Sequence, residues 1–202
     1  MRDRRPRFPG YDVLAKRDSP SWNEQTRRVI DARLAAENEP RFCTPDEWQT
    51  LKALCDCIVP QEGSAQVAIA AMIDRKLERD QRDGYRPAAL PPQRVAWRRG
   101  LRAVDDEARS RYGVSFHELP RGRQETLVQA LREGDGRSAA WCGMPAAVFM
   151  KSRVIHDIAT SYYAHPYAWN QIGFGGPASP RGYVRMDFNR RDPWEAVERD
   201  ER

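Results

Sequence analysis

Apolar side chains recur at three- and four-residue spacing along most of the chain, and no segment sustains a period of two. This pattern predicts an all-α protein. The clearest helix opens at Thr44-Pro45-Asp46-Glu47: Thr44 suits an N-cap, Pro45 the first helical position, and Glu47 closes a capping box. Trp48, Leu51, Leu54, Cys55 and Ile58 form its apolar stripe before Pro60 stops it. A second helix is predicted from about Ser64 to Arg82, with Ala68, Met72, Ile73 and Leu77 on one face. A third runs from about Gln93 to Arg111, carrying Trp97, Leu101, Val104, Ala108 and Tyr112, and ends at Gly113. A fourth covers Gly122 to Arg132. The fifth follows Pro145, with Val148, Ser152, Ile155, Ala159 and Tyr162 or Tyr163 turned inward. An extra short helix is expected between Asn23 and Glu37, with Val29, Ile30 and Leu34 as its apolar face. The expected architecture is a small bundle of about five helices with long irregular N- and C-terminal extensions. Residues 1–42 read as an arm, flexible or draped on a partner over its first twenty residues; 43–186 read as the helical domain and 187–202 as a polar tail.

Composition modifies this picture in two ways. The chain has 202 residues, only 40% of them hydrophobic, and a mean hydropathy of −0.80, so part of it lies outside any core. Its net charge of +5 invites a basic helical nucleic-acid-binding or regulatory reading. The basic residues, however, are 30 Arg and 4 Lys spread among 29 acids rather than clustered. Arg94, Arg98, Arg99, Arg102, Arg109 and Arg111 are the densest stretch, but Asp105, Asp106 and Glu107 share their helix, and Arg102 with Asp106 is an expected i,i+4 pair. A solvated, pair-covered face is the simpler account.

Candidate chemistry is sparse. Cys55 and Cys57 lie about 200° apart on a helix and cannot share a metal or a disulfide. With Cys43 and Cys142 they read as buried small hydrophobes in a reducing compartment. His117, His156 and His165 lack metal-ligand spacing, and Asp157, adjacent to His156, is not expected to share its helix face. A stand-alone enzyme using Tyr163, His165 and Asp157 ranks last, because no convergent second group is recognisable; His165 better suits capping the end of its helix. The longest apolar run, Val67 to Ile73, is far short of the roughly 20 residues of a membrane span. Arg4-Arg5 is followed by no apolar stretch. As read, the chain carries no export signal and belongs in the cytoplasm; export with a partner or a misplaced start codon would put it in the periplasm.

Residues 162–186 carry the most information. Helix periodicity ends at His165-Pro166, and a Gly/Pro-rich run with Trp169, Phe174 and Tyr183 follows. A disordered linker would not concentrate aromatics, so the run reads as an ordered strap laid on its own helices or on another protein. Gly173-x-Gly175-Gly176 does not read as a phosphate cradle, because Pro177 and Pro180 follow where a helix should begin.

Tyr162-Tyr163-Ala164-His165-Pro166, Trp169, Gly173-Phe174-Gly175-Gly176-Pro177 and Arg181-Gly182-Tyr183 resemble the signature of the gluconate 2-dehydrogenase subunit 3 family. Trp48-x-x-Leu51 through Ile58-Val59-Pro60, Ile73-Asp74, and Phe116-x-x-Leu119 with Gln124 resemble its upstream elements. The resemblance implies a non-catalytic, cofactor-free small subunit that stabilises a large FAD-containing sugar or polyol dehydrogenase of the glucose-methanol-choline type, sometimes alongside a cytochrome subunit. It implies no catalytic residues; the spacing of His and Cys, the spread of charge and the short apolar runs lead to the expectation of no metal site, no nucleic acid and no membrane insertion. On this reading Tyr163, His165, Pro166, Trp169, Asn170, Gly173, Phe174, Gly175, Gly176, Pro177, Gly182 and Tyr183 form the partner-binding set. The family often supplies an export signal, which this sequence as read lacks.

Overall fold

The computed structural model describes residues 7–35, 37–61, 66–179, 182–188 and 190–199. Arg4-Arg5, Ser64 at the expected start of the second helix, Pro180 and Arg181 lie outside them. Among the described residues the α-helices are α1 (Glu24–Leu34), α2 (Pro45–Ile58), α3 (Ile69–Glu78), α4 (Gln93–Tyr112), α5 (Arg121–Glu133), α6 (Ala146–Phe149), α7 (His156–Tyr163) and α8 (Pro166–Ile172). The π-helical turn Met150–Ile155 joins α6 to α7 in one rod, so the helical rods among the described residues number seven rather than about five. No strand occurs among the described residues; one isolated parallel bridge joins Trp22 to Ser179. No described helix is long and apolar enough to cross a membrane. The chain divides into two compact units, Met1–Ala36 with Ala65–Val67 and Tyr162–Arg202, and Glu37–Ser64 with Ala68–Ser161.

The larger unit is built as its periodicity dictates. Thr44 accepts from the Glu47 amide at 3.4 Å and Glu47 accepts from the Thr44 amide at 3.0 Å, closing the capping box that starts α2. Trp48, Leu51, Leu54 and Cys55 are buried on one face, as are Trp97, Leu101, Val104 and Ala108 of α4. Gly100 interrupts α4 for a packing reason: a Cβ there would lie 2.1 Å from Cζ of Phe149. The bare backbone lets Phe149 sit edge-on to Trp97 (centroids 5.5 Å apart) and to Trp141 (5.9 Å).

The α6–α7 rod departs from expectation. Ala146, Phe149, Met150, Arg153, Val154, Asp157, Ile158 and Tyr162 are its buried residues, while Val148, Ser152, Ile155 and Ala159 are half-buried. The inward stripe is thus displaced by about one position. The π-turn inserts a phase shift, and two inward residues, Arg153 and Asp157, are charged and so escape a reading that counts only apolar positions.

Two residues of the family-like elements have visible structural tasks in this unit. Asp74, fully buried in α3, accepts the backbone amides of Arg41 (2.6 Å), Phe42 (2.9 Å) and Cys43 (2.8 Å), and so holds the segment that leads into α2. Gln124 donates to the Phe116 carbonyl at 3.0 Å, seating buried Phe116 and Leu119 before α5.

Candidate functional site

The segment predicted as one irregular strap is divided in the smaller unit. Pro166–Ile172 is helical, because Pro166 occupies the first helical position and His165 serves as N-cap. His165 Nδ1 accepts from the Tyr167 amide at 3.2 Å. The expected capping role therefore holds at the start of α8, not at the end of α7. Burial, reinforced by the charge of Arg33, lowers the His165 pKa and so favours the neutral ring that can accept.

The strap proper begins at Gly173, the C-cap of α8, and its inner side is fixed to the N-terminal segment. Trp169 packs with Val13, Trp22 and Ile30, against which Tyr11 and Leu14 also rest. Its indole donates to the Tyr163 carbonyl at 2.6 Å. Asn170 Oδ1 accepts from the Val13 amide at 2.8 Å and its Nδ2 donates to Asp12 at 3.1 Å. Lys16, itself buried, donates to the Gly175 carbonyl. Gly176, at φ +66°, presses against the Trp169 ring, where a Cβ would lie 3.1 Å away. Trp22 donates to the Pro177 carbonyl at 2.7 Å, and the Asn23 amide to the Ser179 carbonyl at 2.9 Å. The described part of the expected N-terminal arm is therefore folded: Val13–Lys16 forms a 3-10 turn whose Val13 is fully buried. Of α1's expected apolar face only Ile30 is buried; Val29 and Leu34 are exposed.

The outer side carries aromatic surface. Phe174 stacks edge-on upon Trp169 at 5.8 Å yet remains 40% exposed, and it lies 6.5 Å from the Tyr183 ring. Tyr11 donates to the Phe174 carbonyl at 3.2 Å; burial, with the charges of Asp12 and Glu195, pushes its pKa up to about 12, so the donor persists. Tyr163 (53%) and Tyr183 (72%) are exposed, as are Ile172, Met186 and Phe188 (92%). The predicted partner set thus separates into Pro166, Trp169, Asn170, Gly173, Gly175, Gly176 and Pro177, which with His165 build the fold, and Tyr163, Phe174 and Tyr183, which are exposed; Gly182 precedes Tyr183 at φ +82°. Met186, the last residue of the segment read as a strap, and Phe188, at the start of the polar tail, were not in the predicted set; an apolar side chain among polar neighbours was the available signal.

In the larger unit, His156 and Asp157 do meet, contrary to expectation: Nδ1 lies 3.1 Å from Asp157 Oδ1. With Asp83 they form the one described group of three side chains able to converge on a metal ion. Cations of the chain itself already enter it. Lys76 Nζ is 2.6 Å from Asp83 and 3.4 Å from Asp157, and Arg153 Nη1 is 3.1 Å from Asp83. Trp97 donates to Asp157 at 2.9 Å. Burial raises the Asp83 pKa, but the hydrogen bonds and charges of Lys76 and Arg153 outweigh this and lower it overall. The arrangement is a neutralised ion cluster holding α3, α4 and α7.

The arginines of α4 are likewise engaged. Arg98 bonds Glu47 at 2.7 Å and stacks over Phe42 at 4.2 Å, Arg109 bonds Asp105 at 2.8 Å, and Arg111 bonds Glu107 at 2.8 Å. Arg102 pairs with Glu47 at 3.3 Å instead of Asp106, which accepts from Ser138. Cys43, Cys55 and Cys57 are buried free thiols, but Cys142 is exposed, carried outward at φ +46° after the turn at Trp141. Burial, first among the causes, raises the Cys43, Cys55 and Cys57 pKa values and keeps them unreactive.

Comparisons with curated proteins and with solved structures give no significant match. The family described as gluconate 2-dehydrogenase subunit 3 matches residues 45–176, from the capping box of α2 to the glycine packed on Trp169. That match covers 132 of the 202 residues, so the chain belongs to the gluconate 2-dehydrogenase subunit 3 family, an accessory subunit of a dehydrogenase complex.

Proposed function

We propose that this chain is the non-catalytic small subunit of a FAD-dependent sugar or polyol dehydrogenase, and that it stabilises a large glucose-methanol-choline-type flavoprotein, with a cytochrome as a further subunit in some complexes. FAD and the hydride chemistry belong to the partner. The observation that carries this reading is the two-sided strap: its inner side is tied into the chain's own core, while Phe174, Tyr183, Met186 and Phe188 present apolar surface outward. Rigid aromatics on a fixed backbone lose little entropy on docking and tend to dominate interface energy. Binding of the folded flavoprotein alone would then shift its folding equilibrium by mass action. Gly173 faces the Phe8 ring, Gly175 the Lys16 ammonium, and Gly176 Trp169 and Val13, and all three follow a helix rather than precede one, an arrangement unlike a dinucleotide cradle.

Co-expression with the large subunit tests this. Phe174→Ala with Tyr183→Ala and Phe188→Ala is expected to leave this chain folded, abolish co-purification and lower the yield of FAD-loaded flavoprotein. A flavoprotein that folds and turns over equally well without this chain ends the proposal.

A further inference from the structure

The C-terminal segment of the smaller unit repeats the pattern that opens α2. Asp192-Pro193-Trp194-Glu195 places a capping residue, a proline and a glutamate where α2 has Thr44, Pro45 and Glu47. Half of the capping box forms, with Glu195 Oε1 accepting the Asp192 amide at 2.9 Å. Among the described residues, however, no helix follows. Residues 192–195 form a turn, closed by the Glu195 amide on the Asp192 carbonyl at 2.9 Å.

Both carboxylates reach back to residues 185 and 186. Buried Asp192 accepts the Met186 amide at 3.0 Å. Glu195 takes Arg185 with both oxygens, Nε to Oε1 at 2.9 Å and Nη2 to Oε2 at 2.9 Å. A two-pronged Arg–carboxylate pair fixes direction as well as distance. The turn is tied in its own right, since Glu198 pairs with Arg7 at 2.5 Å and the Arg199 amide donates to the Arg7 carbonyl at 3.1 Å.

The segment so held is unusual. Tyr183, Val184, Met186 and Phe188 are all exposed, four apolar side chains within six residues. A loose segment of this composition would fold them onto nearby apolar surface. The ties at Arg185 and Met186, in the middle of the run, oppose that collapse. A docking segment fixed before contact also loses less entropy when it binds.

We propose that Asp192 and Glu195 are positioning residues, and that their turn is a clasp holding residues 183–188 in the conformation presented to the large subunit. The clasp rests on the subunit reading above, in which Tyr183, Met186 and Phe188 dock. It acts through Arg185 and the Met186 amide and needs no contact of its own with the partner.

Arg185→Gln, Glu195→Gln and the double variant test it in the full chain; Glu195→Gln keeps an acceptor for the Asp192 amide. Chymotryptic cleavage after Tyr183 or Phe188 reads the clasp without the partner, and titration with the purified large subunit reads docking. The thermal midpoint should stay put, because half-exposed ion pairs add little to stability. Each single variant is expected to be cleaved faster and to bind about tenfold more weakly. The double variant should be no weaker than either single, since all three remove one contact. Unchanged cleavage, or faster cleavage with wild-type affinity, overturns the clasp alone. Additive losses also overturn it, making Arg185 and Glu195 direct partner contacts. A wild-type chain that does not bind the large subunit overturns the subunit reading, and the docking role with it.

Discussion

The indole N–H of Trp22 donates to the Pro177 carbonyl across 2.7 Å, joining residues 155 apart in the chain. Trp22 is also in the buried cluster with Val13, Ile30 and Trp169. One side chain therefore supplies both the packing and the polar anchor that hold the strap to the N-terminal segment. Trp22→Phe keeps most of the packing and leaves the carbonyl without its donor, at a cost of about 1–3 kcal/mol. The expected readouts are a lower urea midpoint and faster proteolysis within residues 174–186. Proteolysis unchanged from the wild type would show that the strap is held by other contacts.

Gly100→Ala tests the packing of Phe149 on α4. Alanine favours a helix over glycine by about 1 kcal/mol. That gain is opposed by a Cβ overlapping three ring atoms of Phe149 at 2.1, 2.3 and 2.7 Å. The ring cannot yield without leaving Trp97 and Trp141, so overpacking of about 1–3 kcal/mol or more should win. Gly100→Ala is expected to lower the thermal midpoint. In Phe149→Leu the same substitution should cost less, which a double-mutant cycle would read as coupling.

These two sites show what the chain announces and what it conceals. The helices that hold the larger unit are legible because Thr44, Pro45 and Glu47 mark a start and because Trp48, Leu51, Trp97 and Leu101 repeat at helical spacing. Helix α8 is not legible: seven residues are too few to establish a period, and its N-cap is a histidine. The inward phase of the α6–α7 rod was hidden by a π-turn and by buried Arg153 and Asp157. In the strap, the residue types indicated an ordered, aromatic segment, but not which aromatics face inward. That is decided by partners more than 150 positions away, such as Val13 for Asn170 and Trp22 for Pro177.

The cap on α8 depends on pH. His165 has a folded pKa below its ordinary value, through burial and then Arg33, and its neutral Nδ1 accepts from the Tyr167 amide. A depressed folded pKa contributes stability that is present above the unfolded value of about 6.5 and is lost as pH falls through the folded value. Stability measured from pH 7.5 down to 5 should therefore decline. His165→Asn keeps a side-chain acceptor at the cap without titrating. Its stability should vary less over that window, and an unchanged slope would exclude His165 as the source.

Glu107 organises the turn after α5. Its Oε1 accepts the Ser138 amide at 2.7 Å, the Trp141 indole at 3.1 Å and the Arg137 amide, while the carboxylate also pairs with Arg111 at 2.8 Å. Burial alone would raise its pKa. The hydrogen bonds from Ser138, Trp141, Arg137 and Arg111 outweigh burial and bring it below the ordinary value of 4.5. Its contribution is accordingly full above about pH 4.5 and lost as pH falls through the lowered pKa. Glu107→Gln keeps the shape but removes the charge and turns an amide donor toward other donors. Breaking a buried pair costs about 3–5 kcal/mol, and the low end is expected because Arg111 retains Asp135 at 3.2 Å. Urea unfolding at pH 7 should show that loss. The difference between wild type and variant should then shrink from pH 5 to pH 3, as the wild-type carboxylate protonates; a constant difference would assign the loss to packing rather than to charge.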